Sequence, residues 1–274
     1  MASNPADLKA KYEEQGFVVI PNLITPENFQ SLERACADVV SRTREGSWPY
    51  RRTVGKQFPP YDSKDPDSWG LFSQWYCSTP VVNAVQTLLG CQEDQLQMEL
   101  FNLLINPVSH NFALRWHRDD ISGDATQEEE QRALDAWKPA IYDDACLYVV
   151  PGSHKIPRTS GQRAHSTGPD APVNPLDMPG AIRVALRPGE SVFYNQNILH
   201  CATYDASAPR ATLHGCMGNI EGGPLRARNI LQHGLNWMKE PQFGEGLDPR
   251  GKAMLVRLLQ LYNTAGDVGY SLSG

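Results

Sequence analysis

The sequence predicts a mainly β fold with flanking helices, arranged as a double-stranded β-helix, that is, a cupin-like jelly roll. Helical patterns come first, strand-like runs follow and a helix closes the chain, which is the order expected when helices brace a double-sheet barrel. The length of 274 residues suits one large barrel domain. A metal-binding pattern lies among the strands, where such a barrel could hold a ligand.

We therefore expect a single domain over residues 1–274. Its N-terminal part, about residues 1–92, is expected to be mainly helical. The jelly-roll core is expected at about residues 93–220, and a helical C-terminal extension at about 221–274.

The N-terminal part begins with a helix and a short strand, Phe17–Ile20. Thr25 is placed to cap a second helix with Pro26 at its first position, and the apolar residues that follow recur with the helical period. Pro80 opens a third helix that ends at Gly90, a residue suited to a helix C-cap.

The core is expected to contain a series of strands. The strand-like runs are Leu96–Ile105, Phe112–Asp119, Ala140–Val150, Ile182–Leu186, Ser191–Tyr194 and Arg210–Met217. The turn residues at 188–190 predict a hairpin between the fourth and fifth runs. An acidic helix, Gln127–Trp137, is inserted after the second run, and Asp248 with Pro249 starts a C-terminal helix.

Two segments are expected to be loops near the pocket. Residues 155–180 combine many Pro, Gly and Ser residues without an apolar period, which predicts a mobile lid. Residues 44–73 are rich in aromatic residues, Pro and Gly. Within them, Trp48, Tyr50, Arg51 and Arg52 could form an aromatic and cationic wall of the substrate pocket, or simply an ordered loop packed on the barrel.

Composition narrows the class of partner. A net charge of −6 argues against nucleic acid and against an anionic membrane, and no apolar run is long enough to span a bilayer. The first eleven residues lack the apolar core of a signal peptide. Six scattered cysteines without a CxxC pair indicate reduced thiols. We expect a cytoplasmic protein acting on a small molecule, and the sequence leaves the oligomeric state open.

The most informative pattern is His117-Arg118-Asp119, combined with His200. In a strand, His117 and Asp119 point to the same face, so an imidazole and a carboxylate can bind one ion. His200 follows another strand-like run and supplies a second imidazole. Two histidines and one carboxylate form the facial triad of non-haem Fe(II) oxygenases, which leaves three coordination positions open.

Arg210 lies ten residues after His200 and begins the next strand. Thr212 shares its strand face. A guanidinium matches a carboxylate as a planar fork, and a neighbouring hydroxyl adds a donor. This pair is therefore suited to hold the far end of a dicarboxylate whose keto-acid end lies at the metal.

Together these residues resemble the phytanoyl-CoA dioxygenase family of Fe(II)/2-oxoglutarate-dependent oxygenases. The resemblance covers roughly residues 10–220. It rests on Tyr12–Pro21, His117-Arg118-Asp119, the run Cys146–His154, His200 and Arg210.

The resemblance implies Fe(II), 2-oxoglutarate and O2 as cofactors, with His117, Asp119 and His200 as iron ligands. Arg210 and Thr212 correspond to the 2-oxoglutarate motif. Family members sometimes use an Asn on the strand before the HxD motif to contact the cosubstrate. Asn106 and Asn102 share one strand face, so both remain candidates. The implied reaction is oxidation of a small organic metabolite, by default hydroxylation, with release of succinate and CO2.

Two other functions remain open. The chain could be a metal-dependent cupin that does not use 2-oxoglutarate, such as an isomerase or a cosubstrate-independent oxygenase, but Arg210 argues against this. It could also be a non-catalytic binding jelly roll, against which the complete triad argues. His214 shares a strand face with Arg210 and could line the pocket or fill the barrel. His154 is expected to be structural.

Overall fold

The chain is a mixed helix and strand protein. The computed structural model describes residues 4–48, 57–58, 61–62, 64–119, 121–136, 141–143, 147–168, 170–208, 210–226 and 236–265. Of these residues, 48% are helical and 19% lie in strands, so the expectation of a mainly β chain is wrong. The helices that flank the sheets are long, whereas most strands have only two to five residues.

Eight α-helices lie in the described part of the chain. They are α1 (Pro5–Gln15), α2 (Pro26–Glu45), α3 (Pro66–Tyr76), α4 (Thr79–Leu89), α5 (Gln127–Ala136), α6 (Ser160–Ser166), α7 (Pro241–Gly246) and α8 (Pro249–Ala265). The Thr25 side chain caps α2 through the backbone N–H of Asn28, and Gly90 ends α4 in the left-handed conformation, as their sequence positions predict. None of the described helices combines the length and hydropathy that crossing a bilayer requires.

Ten strands form two antiparallel sheets. They are β1 (Phe17–Ile20), β2 (Gln57–Phe58), β3 (Leu96–Ile105), β4 (Phe112–Ala113), β5 (Ile141–Asp143), β6 (Leu147–Val149), β7 (Ile182–Val184), β8 (Ser191–Asn195), β9 (His200–Tyr204) and β10 (Ala211–Asn219). The six-stranded sheet has the order β1-β8-β5-β10-β3-β2, and the four-stranded sheet has the order β4-β9-β6-β7. The predicted strand at 96–105 is confirmed.

Apolar side chains connect the two sheets. Leu104 of β3 packs with Ala202 and Tyr204 of β9, so this face of β3 looks toward the four-stranded sheet. In the β3–β10 ladder, Leu104 lies opposite Thr212, and Asn102 lies opposite His214. Paired residues in an antiparallel ladder point to the same face. The side chains of Thr212, Asn102 and His214 therefore point into the space between the sheets, as Leu104 does.

The predicted strand at 140–150 is two strands in different sheets. Residues 141–143 pair with β8 and β10, whereas Leu147–Val149 pairs with β7 and β9. The predicted hairpin is wrong for a similar reason, because β7 belongs to the four-stranded sheet and β8 to the six-stranded one. The turn at 188–190 leads from one sheet to the other. Local alternation of apolar residues does not identify the partner strand.

The prediction of a loop without secondary structure at 155–180 is also wrong. This segment contains α6, which starts with a capping box. Gln162 N donates to Thr159 Oγ1 at 3.2 Å, and Thr159 N donates to Gln162 Oε1 at 3.0 Å. The T-x-x-Q signature of this box is visible in the sequence. The sequence of the helix has no apolar period. Polar contacts of Arg158 and Arg163 with Glu130 hold the helix in place instead.

The expected pocket wall at 44–73 is described only in part. Helix α2 extends to Glu45, and α3 begins at Pro66, so both ends of the segment are helical. Trp48 is buried with the guanidinium of Arg42 over its ring, 4.6 Å from the ring centroid, which supports a packed position. Tyr50, Arg51 and Arg52 lie outside the described residues.

The described cysteines at 36, 77, 91, 201 and 216 are free thiols, in agreement with the sequence prediction. Cys146 lies outside the described residues.

Hydrogen bonds join the end of helix α1 to the turn that follows β6. Gly16 ends α1 with φ +79°, and His154 Nε2 lies 3.1 Å from the carbonyl oxygen of Glu13. Gly152 N donates to Gln15 O at 2.8 Å, and Asn195 N donates to Gly16 O at 2.8 Å. His154 therefore has the structural place expected of it, because it joins the N-terminal helix to the turn.

Gly16→Ala should destabilise the fold. The left-handed backbone costs an L-residue about 1–2 kcal/mol. A Cβ at Gly16 would also lie 2.4 Å from His154 Nδ1, so the imidazole would have to move. The measurement is the free energy of unfolding in urea. As a control, Gly70→Ala places the same methyl group in α3, where no atom of the described part of the chain lies within 4 Å, and should raise stability by about 0.5–1 kcal/mol. Equal effects of the two substitutions would contradict this account.

Candidate metal centre

His117, Asp119 and His200 come together between the sheets. Their potential ligand atoms all lie within 4.8 Å of one another. Asp119 Oδ1 lies 3.5 Å from His117 Nε2 and 3.6 Å from His200 Nε2, and the two imidazole ring centroids are 4.3 Å apart. Two nitrogens and one oxygen therefore face a common point from one side, as a facial metal site requires.

Backbone carbonyls orient both imidazoles. His117 Nδ1 lies 2.8 Å from Arg115 O, and His200 Nδ1 lies 2.8 Å from Ile198 O. A carbonyl oxygen only accepts hydrogen bonds, so each Nδ1 carries the proton and each Nε2 presents its lone pair toward Asp119. Metal-binding histidines are commonly oriented by a hydrogen bond of this kind at the second ring nitrogen.

The protonation states also suit a cation. Burial lowers the pKa of His200 to about 4, and the neighbouring His117 adds to that effect, so His200 is neutral at pH 7. Burial alone would raise the pKa of Asp119, but the imidazoles of His200 and His117 hold that pKa below its ordinary value. Asp119 Oδ2 is buried without a hydrogen-bond partner in the described part of the chain. Burial of such an oxygen is costly, and a bound cation would offset that cost, so these residues fit a metal ion.

The strand geometry predicted for the HxD motif is only partly right. The expected strand at 112–119 is regular at Phe112 and Ala113 alone. His117 then forms an isolated bridge to His200, in which each backbone N donates to the other residue's carbonyl O at an N···O distance of 3.0 Å. Asp119 N donates to Gln196 O at 3.2 Å. The motif is therefore aligned by three backbone hydrogen bonds to the segment that carries His200.

Arg210 and Thr212 form a second polar group between the sheets. Arg210 Nε donates to Thr212 Oγ1 at 3.1 Å, and the guanidinium carbon lies 4.4 Å from the centroid of the Tyr204 ring. These contacts fix the plane of the guanidinium. Because the Thr212 hydroxyl accepts this bond, its own hydrogen remains available to donate to a ligand.

The structure distinguishes the two asparagines. Asn106 Oδ1 accepts hydrogen bonds from Arg210 N and Arg44 Nη2, and Asn106 Nδ2 donates to Pro107 O, so both ends of its amide are engaged. Asn102 is 4% exposed, and its Nδ2 has no hydrogen-bond partner among the described residues. Asn102 therefore has a donor to offer to a ligand.

His214 connects these groups to the triad. It is buried opposite Asn102 in the β3–β10 ladder, and its Nε2 lies 3.5 Å from the hydroxyl of Tyr194. The Tyr194 ring centroid lies 5.2 Å from that of His200. His214 thus lies buried in the interior between the sheets.

A cavity of about 1040 Å³ lies beside Arg210 but away from the triad. Its walls include Arg210, Thr212 and Asn106, together with apolar side chains of α2 such as Phe29 and Val40. None of the three triad residues lines it. The triad is the candidate metal site and this cavity is not, because ligand-atom geometry identifies a metal site better than cavity size does.

Two residues near the centre have no recognisable signal in the sequence. Arg118 was only the middle letter of the HxD motif, but its guanidinium is buried and bonds the carbonyls of Ser153, Asn197 and Ile156 at 2.7–2.9 Å. Burial lowers the pKa of Arg118 to about 10, which leaves it charged at pH 7. Glu130 is fully buried, whereas its acidic neighbours Glu128 and Glu129 are exposed. No local pattern separates it from its acidic neighbours.

The family model for phytanoyl-CoA dioxygenase (PhyH) matches residues 12–210 of this chain. No curated protein sequence matches it.

Several solved structures share the fold. AviO1 from Streptomyces viridochromogenes Tue57 is 15% identical with a TM-score of 0.56, covering 82% of this chain and 99% of AviO1. EctD from S. alaskensis, with 2-oxoglutarate and 5-hydroxyectoine, is 14% identical with a TM-score of 0.56, covering 81% and 79%. The epimerase SnoN, in complex with Fe3+, alpha ketoglutarate and nogalamycin RO, is 15% identical with a TM-score of 0.52, covering 78% and 83%. Similarity at this identity establishes the fold alone.

Loss of a triad side chain should abolish tight metal binding. His200→Ala removes one of three ligand atoms, so Fe(II) affinity should fall by more than the roughly 10–100-fold typical of substitutions that only orient a ligand. Anaerobic calorimetry with Fe(II) measures this. His165→Ala changes an exposed histidine and should leave the affinity unchanged. Retained affinity in His200→Ala would exclude this residue as a ligand.

Proposed function

The chain belongs to the phytanoyl-CoA dioxygenase family, and from this membership we propose that it is a non-haem Fe(II)/2-oxoglutarate-dependent dioxygenase. The proposed reaction oxidises a small organic metabolite, by default through hydroxylation, and releases succinate and CO2. The observation that carries the proposal is the convergence of His117, Asp119 and His200. Both imidazoles are oriented by backbone carbonyls, and one buried carboxylate oxygen has no hydrogen-bond partner within the described ranges.

In the proposed mechanism, His117 Nε2, His200 Nε2 and Asp119 hold Fe(II). Bound there, Fe(II) would supply activation of O2, with 2-oxoglutarate as the source of two electrons. The carbonyls of Arg115 and Ile198 keep both Nε2 atoms unprotonated and aimed at the ion. The buried position of His200 favours its neutral form.

Arg210 and Thr212 are proposed to bind the distal carboxylate of 2-oxoglutarate. The Tyr204 ring and the Thr212 hydroxyl fix the guanidinium before the ligand arrives, which reduces the entropy lost on binding. A charge-assisted pair of this kind contributes roughly 1.5–3 kcal/mol. The cosubstrate would then lie along the inner face of β10, between Arg210 and the triad.

We assign the cosubstrate-contacting asparagine to Asn102. Asn106 is proposed to be structural, because its amide bonds the backbone of Arg210 and of Pro107. Asn102 offers a buried Nδ2 and faces the same interior as Thr212 and His214.

The remaining assignments extend the same proposal. The two sheets, joined by Leu104 and the side chains it packs on, are proposed to form a double-stranded β-helix within one domain over residues 1–274. EctD and SnoN were solved with small organic molecules, which supports a similar substrate size by analogy of fold only. A cytoplasmic location and the absence of nucleic-acid or membrane partners stay predictions from composition.

The primary test is anaerobic calorimetry of 2-oxoglutarate on the Fe(II)-loaded protein, followed by measurement of succinate after O2 is admitted. We expect binding that requires Fe(II), and succinate release even without the metabolite, because 2-oxoglutarate oxidation can proceed uncoupled. Metal binding without 2-oxoglutarate binding would favour a cupin enzyme of another type. Absence of metal binding would favour a non-catalytic jelly roll.

Arg210→Ala should raise the 2-oxoglutarate concentration needed for half-maximal succinate release by about one to two orders of magnitude. Arg210→Lys should restore part of the affinity, because Lys keeps the charge but lacks the planar fork. Arg183→Ala removes an exposed guanidinium on β7 and serves as the control. An unchanged requirement in Arg210→Ala would mean that the carboxylate binds elsewhere.

The two asparagines should respond differently to substitution. Asn102→Ala should weaken 2-oxoglutarate binding about 3–10-fold, the value of one hydrogen bond, with little change in melting temperature. Asn106→Ala should lower the melting temperature, because it leaves buried backbone groups without partners. Calorimetry and thermal unfolding of both variants decide this, and the reverse pattern would transfer the cosubstrate role to Asn106.

A further inference from the structure

Glu130 lies at the centre of a buried cluster of arginines. Arg158 Nε lies 2.6 Å from Glu130 Oε1, Arg118 Nε lies 3.6 Å from the same oxygen, and Arg163 Nη2 bonds Oε2. The side chains of Glu130, Arg118 and Arg158 are at most 3% exposed. Buried guanidinium groups need an anion, so one carboxylate of α5 makes the whole cluster possible.

Arg118 connects this cluster to the metal centre. Its backbone lies between His117 and Asp119, while its guanidinium extends away from them. Arg118 Nη1 donates to Asn197 O at 2.7 Å and to Ser153 O at 2.8 Å. Asn197 lies three residues before His200, so the bond joins the segment of the first two ligands to the segment of the third.

The turn after β6 supports both segments. Arg118 Nη2 donates to Ile156 O at 2.9 Å, and Leu199 N donates to Ser153 Oγ at 2.8 Å. The same turn therefore receives Arg118 from one segment and contacts the residue before His200 in the other. A guanidinium with several fixed donors can bond three carbonyls at once, which a single ammonium group cannot do with the same geometry.

From these contacts we propose that Arg118, fixed by Glu130, is a positioning residue that sets the separation between His200 and the His117/Asp119 pair. The acidic helix α5, an insertion by its place in the sequence, thereby becomes part of the support of the metal centre. The proposal rests on the proposed function, because it requires a metal at the triad. Neither Arg118 nor Glu130 touches the metal or substrate in it.

The test compares Arg118→Lys and Glu130→Gln with the unmodified protein. Substitutions that disturb the orientation of metal ligands typically cost about 10–100-fold in metal affinity. We expect that loss for Fe(II) in both variants, measured by anaerobic calorimetry well below each melting temperature. The Co(II)-substituted variants should also show altered d–d absorption, which reports ligand geometry and which a loss of stability alone would not change.

Arg257→Lys is the matched control. Arg257 also bonds two backbone carbonyls, those of Leu96 and Glu93, but it lies on α8 away from the triad. We expect it to lower the melting temperature while leaving Fe(II) affinity and the Co(II) spectrum unchanged. If Arg118→Lys fails to fold, Glu130→Gln decides the comparison, because the Gln side chain has the same shape as Glu without the charge. The measurement is then the rise in melting temperature that metal causes in Glu130→Gln.

The outcomes separate the two proposals. Unmodified protein that binds metal, together with folded variants of unchanged affinity and spectrum, would overturn the positioning role and leave the proposed function standing. An equal loss of affinity in Arg257→Lys would also overturn it, because stability alone would then explain the effect. Failure of the unmodified protein to bind Fe(II) or Co(II) would overturn both.

Discussion

The surroundings of the candidate metal centre depend on the ion pairs that the buried carboxylate of Glu130 forms with arginines. This carboxylate is surrounded by the guanidinium groups of Arg118, Arg158 and Arg163, which then bond backbone carbonyls and a serine hydroxyl from several separate segments. A buried positive charge without a partner is costly, so the folded state requires α5 and these segments to assemble together. This requirement explains why residues 155–166 adopt defined structure despite their loop-like composition.

The centre itself combines rigid orientation with an unsatisfied charge. Two carbonyls fix the imidazole tautomers, and three backbone hydrogen bonds align the HxD segment with the segment that carries His200. Asp119 nevertheless keeps one buried oxygen that none of the described residues hydrogen-bonds. Folded proteins rarely leave such an atom unpaired, and a bound cation would satisfy it. Buried polar atoms without hydrogen-bond partners are expected at sites that serve binding rather than stability.

Local patterns predicted the elements well where a single segment contains the relevant information. Apolar periodicity and capping residues predict α2 and α4, and a local strand-like run predicts the strand at 96–105. The family resemblance implied His117, Asp119 and His200, which the structure brings together. Prediction failed where the outcome depends on a distant partner. The run at 140–150 divides between two sheets, and α6 is held by polar contacts with another helix. Apolar periodicity contains no information about either.

The sequence by itself determined the types of chemistry available: two imidazoles, a carboxylate, a guanidinium and a hydroxyl at spacings that match a known family. Only the tertiary structure decided which neighbouring groups are engaged. Asn102 and Asn106 share a strand face, but Asn106 lies beside the Arg210 backbone and bonds it, whereas Asn102 keeps a buried donor. Likewise, Glu130 differs from its acidic neighbours only because three arginines from other segments converge on it. Hydrogen bonding and burial depend on contacts between residues far apart in the chain, and no local pattern specifies them.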